Sequence, residues 1–145
     1  MIKVKIRALE TQARSKDDEL ALLAKRDLAA IHYAIRDYAF GAVAYRDFLP
    51  AAEAAETVYP ADYYSAVCCM CLSGDKRSAL LYMAKCLALN KSSKIDPSVR
   101  LKRELFDIDP EIKLIRRDPV YLKLIEEAFG KRKAPETKSR SKSPR

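Results

Sequence analysis

Three of the four cysteines lie within four positions, in the stretch "YYSAVCCMCLSGD" that covers residues 63–75. Cys68 and Cys71 form a CxxC pair, a spacing that redox-active dithiols and half of a zinc site share. A thioredoxin-type pair lies where a strand passes into a helix N-terminus, which lowers the thiol pKa. The pattern around Cys68 and Cys71 is instead that of a helix interior, so a redox function is disfavoured.

A metal site is disfavoured on similar grounds, because structural zinc needs four tetrahedral ligands. Cys68, Cys71, Cys86 and His32 supply four candidate ligands, but the second CxxC or HxxxH element is missing. A disulfide is disfavoured in a cytoplasmic chain, and neighbouring positions on a straight helix have poor bridging geometry. Free cysteine packs as a small hydrophobic residue. We therefore predict that the cysteines are packing residues, with no metal and no cofactor.

Other catalytic signals are weak. His32 is the single histidine, and no serine, cysteine or carboxylate motif near it indicates a base. The three glycines, at positions 41, 74 and 130, are too few and too far apart for a phosphate-binding loop. These observations favour a protein that is not an enzyme.

Composition places the chain among helical globular proteins, with 145 residues of which 49% are hydrophobic and 33% charged. The longest uncharged stretch, Tyr63 to Gly74, is far shorter than the ~20 residues needed to span a bilayer. The start "MIKVKIRALE" has no apolar block behind its basic residues, so it does not resemble a secretory signal. We expect a cytoplasmic protein without a membrane span.

The net charge of +8 is concentrated at the two ends of the chain. Residues 1–16 carry five bases and one acid, residues 131–145 carry seven bases and one acid, and the body between them has a net charge of −2. A groove-reading domain usually has its positive charge on one folded face. Binding of nucleic acid or an anionic surface is therefore expected only through the termini, with the C-terminal bases as candidates: Lys131, Arg132, Lys133, Lys138, Arg140, Lys142 and Arg145.

Hydrophobic periodicity divides the chain into a basic lead-in, a helical domain and a tail. In residues 1–16, "MIKVKIR" alternates as a strand does, but no other segment alternates to pair with it, so we expect a loose lead-in, with a strand that pairs with another molecule as the alternative. Helices are expected from Asp17 to a break at Gly41, over 42–58 with a kink at Pro50, from Pro60 to Leu72, and over 76–90. Three Asp-Pro pairs predict short helices at 97–106, 110–116 and 119–129. Residues 131–145 lack apolar periodicity and are predicted to be disordered.

The third and fourth predicted helices resemble a tetratricopeptide repeat. With Gly74 at the turn between the helices, the signature positions are Tyr63, Ala66, Val67, Met70, Ala79, Met83 and Cys86. Lys91 stands where that family usually has a proline. A degenerate copy lies 35 residues earlier, with Leu28, Ile31, Ile35, Ala44, Phe48 and Ala51 at the matching positions.

The segment that follows resembles the ending of bacterial tetratricopeptide arrays, where an R-x-D-P-x-[YF]-x-x-L element closes the last repeat. Here the element is Arg116, Asp118, Pro119, Tyr121 and Leu124. The expected fold is all-α: an antiparallel helix-pair array of about two units, a degenerate one at 17–58 and a clear one at 61–90, with cap helices at 97–129. Arrays usually need about three repeats, so the cap supplies a third layer or the chain is a homo-oligomer or part of a larger assembly.

The resemblance implies a scaffold that holds a protein or peptide partner in a concave groove lined by the first helix of each unit. This predicts the partner-binding residues Arg26, Tyr33, Arg36, Tyr64, Ser65 and Cys68. Two arginines and two tyrosines suit a carboxylate or an acidic peptide. The alternative is binding of nucleic acid or an anionic surface through the basic termini.

Overall fold

The computed structural model describes residues 1–131 of the chain, and within that range the protein is all-helical. Seven α-helices follow one another: α1 (Ile2–Gln12), α2 (Asp18–Ala34), α3 (Tyr38–Ala54), α4 (Pro60–Leu72), α5 (Lys76–Asn90), α6 (Arg103–Ile108) and α7 (Pro119–Phe129). Single 3-10 turns lie at Pro97–Val99 and Pro110–Ile112. Helices α2 with α3 and α4 with α5 form the two most extensive pairs, and α3 packs on α4. The predicted all-α array of adjacent helix pairs is confirmed.

The N-terminal segment is a helix, so neither the expected loose lead-in nor the alternative strand is present. Ile2, Ile6, Leu9 and Ala13 recur at spacings of four, three and four, and this helical period is visible only beyond the seven residues that alternate. Leu9 is buried and Ile6 is half-buried, with α1 packed against α2. The lead-in is therefore the first element of the helical array.

Two further predictions fail in α3. The helix begins at Tyr38 and passes through Gly41, which was expected to break it. A Cβ at Gly41 would lie 3.0 Å from the Sγ of Cys69, so the glycine permits close contact between α3 and α4. The helix also continues through Pro50, whose ring is exposed to solvent, and ends at Ala54 rather than 58.

Three consecutive helices end in one geometry. After α2, α3 and α4, a left-handed residue follows the cap: Arg36 (φ 63°), Glu56 (φ 55°) and Gly74 (φ 83°). In each case the next amide reaches back five residues, from Asp37 to the His32 carbonyl, Thr57 to Ala52, and Asp75 to Met70, at 2.8–2.9 Å. This is the Schellman motif, which satisfies carbonyls that the helix end leaves free. Only the third of these turns uses glycine.

The centre of the core lies between α4 and α5. All seven signature positions of the clear unit are buried, as are Cys68, Cys69 and Cys71, and the four cysteines are free. Burial raises the pKa of the Cys69, Cys71 and Cys86 thiols to about 12. The cysteines pack in the core, as predicted. In the degenerate unit Phe48 is fully buried, whereas Ile35 lies exposed at the end of α2.

The C-terminal segment covers the second helix pair on two sides. α7 packs on α5, and the turn at 110–112 packs on α4. Asp96, Asp109 and Asp118 each accept a backbone amide two residues on, as their Asp-Pro spacing predicted. The helix predicted at 97–106 is instead a 3-10 turn followed by α6, which begins only at Arg103, and the helix predicted at 110–116 is a single 3-10 turn. None of the helices in residues 1–131 is both long and apolar enough to cross a membrane.

The apolar side chains of the C-terminal segment are buried only in part. Phe106, Ile112 and Ile125 are buried. Leu122 is exposed, and so is Leu81 on α5, so one side of α5 remains uncovered within the described chain. The amide of Asn90, at the end of α5, is buried and bonds both backbone groups of Leu101, at 2.9 and 2.7 Å. These two hydrogen bonds fix the path of the chain from α5 into the C-terminal segment.

Candidate functional site

Two tyrosines from successive helix pairs meet a single acidic turn. The Tyr33 hydroxyl, near the end of α2, donates to the carboxylate of Glu111. The Tyr64 hydroxyl, on α4, donates to Asp109 at 2.6 Å. We call residues 109–112 the acidic turn. It lies across the face that α2 and α4 present together, where the sequence predicted a site for carboxylates.

The acidic turn is shaped by bonds within its own segment. One carboxylate oxygen of Asp109 accepts the Glu111 amide at 2.9 Å, and Pro110 holds the first position of the 3-10 turn. The Arg116 guanidinium donates to the backbone carbonyl of Asp109. The other carboxylate oxygen of Asp109 is thereby directed at Tyr64. The turn presents its two acidic side chains to two different helices.

Apolar residues on both sides anchor the acidic turn. Phe106 is fully buried and meets the Tyr64 ring edge to face, with 5.4 Å between centroids. The Tyr121 hydroxyl donates to the Phe106 carbonyl at 2.7 Å. Ile112 and Ile115 are also fully buried. Burial of a large apolar side chain contributes about 1.5–3 kcal/mol, so these three residues hold the turn more firmly than its carboxylates do.

The electrostatics of the site favour neutral donors facing carboxylates. Burial, and then the hydrogen bond to a carboxylate, raises the pKa of both Tyr33 and Tyr64 far above its usual range. Burial, and then the negative charge of Asp109, likewise raises the pKa of the Cys68 thiol. Among residues 1–131, no lysine, arginine or histidine forms an ion pair with Asp109 or Glu111. The phenols and the thiol therefore stay protonated and act as hydrogen-bond donors.

Cys68, Asp109 and Glu111 place one sulfur and two oxygen atoms within 4.8 Å of one another. Three such ligands are one fewer than a structural zinc ion takes. The Cys68 side chain is almost completely buried, and a protonated thiol is neither a good metal ligand nor a nucleophile. These three residues are part of the contact between α4 and the acidic turn.

The predicted partner-binding residues do not form one open surface. Tyr33, Tyr64 and Cys68 contact the acidic turn, and Tyr64 and Cys68 are buried beneath it. Ser65 is half-buried with its hydroxyl against Tyr45. Whether any of these residues binds a partner stays a prediction.

The two predicted arginines have different surroundings. Arg26 donates to the Thr57 carbonyl at 3.0 Å and to the Asp62 carboxylate at 3.2 Å, and its guanidinium lies 5.0 Å from the Phe48 ring centroid. It therefore ties α2 to the start of α4. Arg36 is exposed in the left-handed turn after α2.

Of the predicted anion-binding tail, the structure describes only Lys131. Its ammonium lies 3.8 Å from the Glu126 carboxylate, and both side chains are largely exposed. The other six basic residues of the tail, and the predicted disorder there, lie outside the described residues.

The residues that the sequence did not assign to this site are Phe106, Asp109 and Glu111. The sequence predicted Asp109 only as a helix cap. It does cap the turn, and its second carboxylate oxygen also accepts the hydrogen bond from Tyr64. The sequence did contain a signal for Glu111, because an acid that directly follows an Asp-Pro pair also lies in the turn.

Comparisons of the chain with protein-family models, with curated proteins and with solved structures found no match.

Proposed function

We propose that the protein is a non-enzymatic interaction module of the tetratricopeptide kind that binds acidic segments on the face formed by α2 and α4. One observation carries this proposal: hydroxyls from two successive helix pairs donate to two carboxylates that lie two residues apart on one segment. Phenol donors in a half-buried site suit carboxylates, since hydrogen bonds to charged groups are stronger than neutral ones.

The protonation states support binding over catalysis. A nucleophilic cysteine needs a lowered pKa and partial exposure, whereas Cys68 is buried and its thiol pKa is raised. His32 is nearly buried, its ring stacks on Phe40, and its Nδ1 lies 3.5 Å from the carboxylate of Asp37. These groups fit structural roles.

The acidic turn is then the internal occupant of the binding face. It is tethered to α5 through residues 91–101, most of which are exposed. Because the turn belongs to the same chain, its contact with the face is intramolecular and has a high effective concentration. An outside acidic peptide must therefore compete with the protein's own turn, whose two carboxylates add to the hold of its apolar anchors.

The test uses a labelled synthetic peptide of residues 103–117, "RELFDIDPEIKLIRR", and the full chain. Fluorescence anisotropy compares the wild type with an Asp109→Asn, Glu111→Gln variant, whose own turn has lost both charges. We expect the variant to bind this peptide, which carries both carboxylates of the acidic turn, at least about tenfold more tightly, since each hydrogen bond to a charged group contributes about 1.5–3 kcal/mol.

Two controls make the result specific. Asp96→Asn removes an equivalent capping carboxylate that does not contact either tyrosine, so its affinity for the peptide should equal that of the wild type. Adding Tyr33→Phe and Tyr64→Phe to the double variant should abolish the gain. Circular dichroism confirms that each variant is folded. Equal peptide affinity in the wild type and the double variant, or a gain that survives loss of both hydroxyls, would refute the proposal.

A further inference from the structure

Helix α1 differs from the rest of the described chain in its charges. Five ion pairs join different helices or their caps elsewhere, for example Lys25 with Asp47 at 3.6 Å and Lys76 with Asp118 at 2.9 Å. No ion pair among residues 1–131 involves residues 1–16. The first turn of α1 contains no acid, and Glu10 is the single acid in the segment.

The unpaired bases of α1 border one solvent-facing surface. Ile6 and Leu9 face α2, and the opposite side of the helix carries Val4, Ala8 and Thr11, all exposed. At about 100° per residue, Lys3 and Arg7 border this side on one edge and Lys5 on the other. All three are exposed, and so are Arg14 and Lys16 in the turn that follows. The surface is thus flanked by cations that no other part of the described protein neutralises.

We propose that this face of α1 binds the phosphodiester backbone of a nucleic acid duplex. Its 11 residues extend about 16 Å, which matches about five base-pair steps of 3.4 Å. Phosphate contacts require exposed cations and no apolar pocket, and they supply most of the affinity of sequence-independent binding. The C-terminal residues 131–145, with seven bases and one acid, add to the same electrostatic attraction.

The surface suits a nucleic acid better than a membrane or a protein partner. A helix that binds membranes needs a wide apolar face to bury in the bilayer, whereas Ile6 and Leu9 of α1 face α2. The exposed Ile2 and Val4 lie on different sides of the helix at about 100° per residue. A protein partner needs aromatic or arginine anchors in a pocket; α1 has no aromatic residue, and its single arginine, Arg7, is exposed on the helix surface. The inference does not depend on the α2–α4 face, since none of the α1 bases contacts the acidic turn.

The experiment measures binding of the full chain to a labelled DNA duplex of about 20 base pairs between about 50 and 200 mM NaCl. A Lys3→Gln, Lys5→Gln, Arg7→Gln variant is compared with a Lys91→Gln, Lys94→Gln, Lys102→Gln variant. The control removes the same charge from exposed residues that form no ion pair within the described chain. Thermal unfolding shows that both remain folded.

We expect the α1 variant to lose at least tenfold in affinity, and its slope of log K against log salt to fall by about three, because each lost phosphate contact removes about 0.9 from the slope. In the control variant, both the loss in log K and the fall of the slope should be less than half of those in the α1 variant. Equal losses in the two variants would mean that net charge alone matters and would overturn the proposal. So would unchanged binding in the α1 variant, or preferential binding of the wild type to phosphatidylserine vesicles at equal phosphate concentration.

Discussion

Replacing Gly41 by alanine should have opposite effects on stability in two backgrounds. Alanine is the better residue in a helix interior, by about 1 kcal/mol relative to glycine. At this position, however, the new Cβ would lie 3.0 Å from the Sγ of Cys69, which is fully buried on α4. The sulfur would have to shift by a few tenths of an ångström within the core to make room.

The magnitude follows from these two opposing terms. Forcing an extra methyl group into a packed core costs about 1–3 kcal/mol, so we expect Gly41→Ala to lower the free energy of unfolding by up to about 2 kcal/mol in the wild type. In a Cys69→Ala background the sulfur is absent. The nearest remaining atoms, Tyr33 N at 3.6 Å and His32 Cβ at 3.7 Å, are at ordinary contact distance. There the same substitution should raise the free energy of unfolding by up to about 1 kcal/mol.

Urea unfolding followed by far-UV circular dichroism gives the four free energies of this double-mutant cycle. The expected coupling is about 2 kcal/mol, within the range for residues in direct contact. If Gly41→Ala changed stability by the same amount in both backgrounds, Cys69 would not be the reason for glycine at this position. The close approach of α3 and α4 would then need another explanation.

Three further predictions concern the C-terminal segment. Because the Tyr64 pKa is raised above its usual value of about 10, the wild type should lose stability as pH rises above about 10, by up to about 1.4 kcal/mol per unit from this group. Urea titrations at increasing pH should show that Tyr64→Phe removes this share of the loss, while tyrosines such as Tyr33 and Tyr121, whose pKa is also raised, still contribute theirs. Phe106→Ala should cost about 3–5 kcal/mol because the ring is fully buried, whereas Leu122→Ala, on an exposed position, should change the urea midpoint little, and equal effects would contradict the burial pattern. Asn90→Ala leaves both backbone groups of Leu101 unpaired, so it should cost about 1–3 kcal/mol per unsatisfied group and speed hydrogen exchange at the Leu101 amide.

Helices with local signals were predictable from the sequence. The bounds of α4 and α5 follow from Pro60, from Gly74 and from an apolar pattern that lies within the helices themselves. The Asp-Pro caps were found for the same reason, because an aspartate accepts an amide two residues further along the chain. The burial of the cysteines followed from the absence of a partner motif and from their mid-helix position.

Features that depend on distant residues were not predictable in this way. Gly41 is a helix breaker by propensity, and its tolerance in α3 depends on Cys69, 28 positions later. The alternation in "MIKVKIR" gave a strand period because the window ended before Leu9. The acidic turn was missed as a ligand since its partners, Tyr33 and Tyr64, lie 78 and 45 residues away from Glu111 and Asp109.

The three Schellman turns have a consequence for engineering a more thermostable form. A residue with a Cβ in the left-handed region is less stable than glycine by about 1–2 kcal/mol. Arg36 and Glu56 occupy that region, whereas the third turn has glycine, Gly74, at the same position. Arg36→Gly and Glu56→Gly should each raise the melting temperature by several degrees, given a shift of about 2–8 °C per kcal/mol in domains of this size. Calorimetry on the single and double variants would measure the gain. Because the two turns end different helices, the two increments should add.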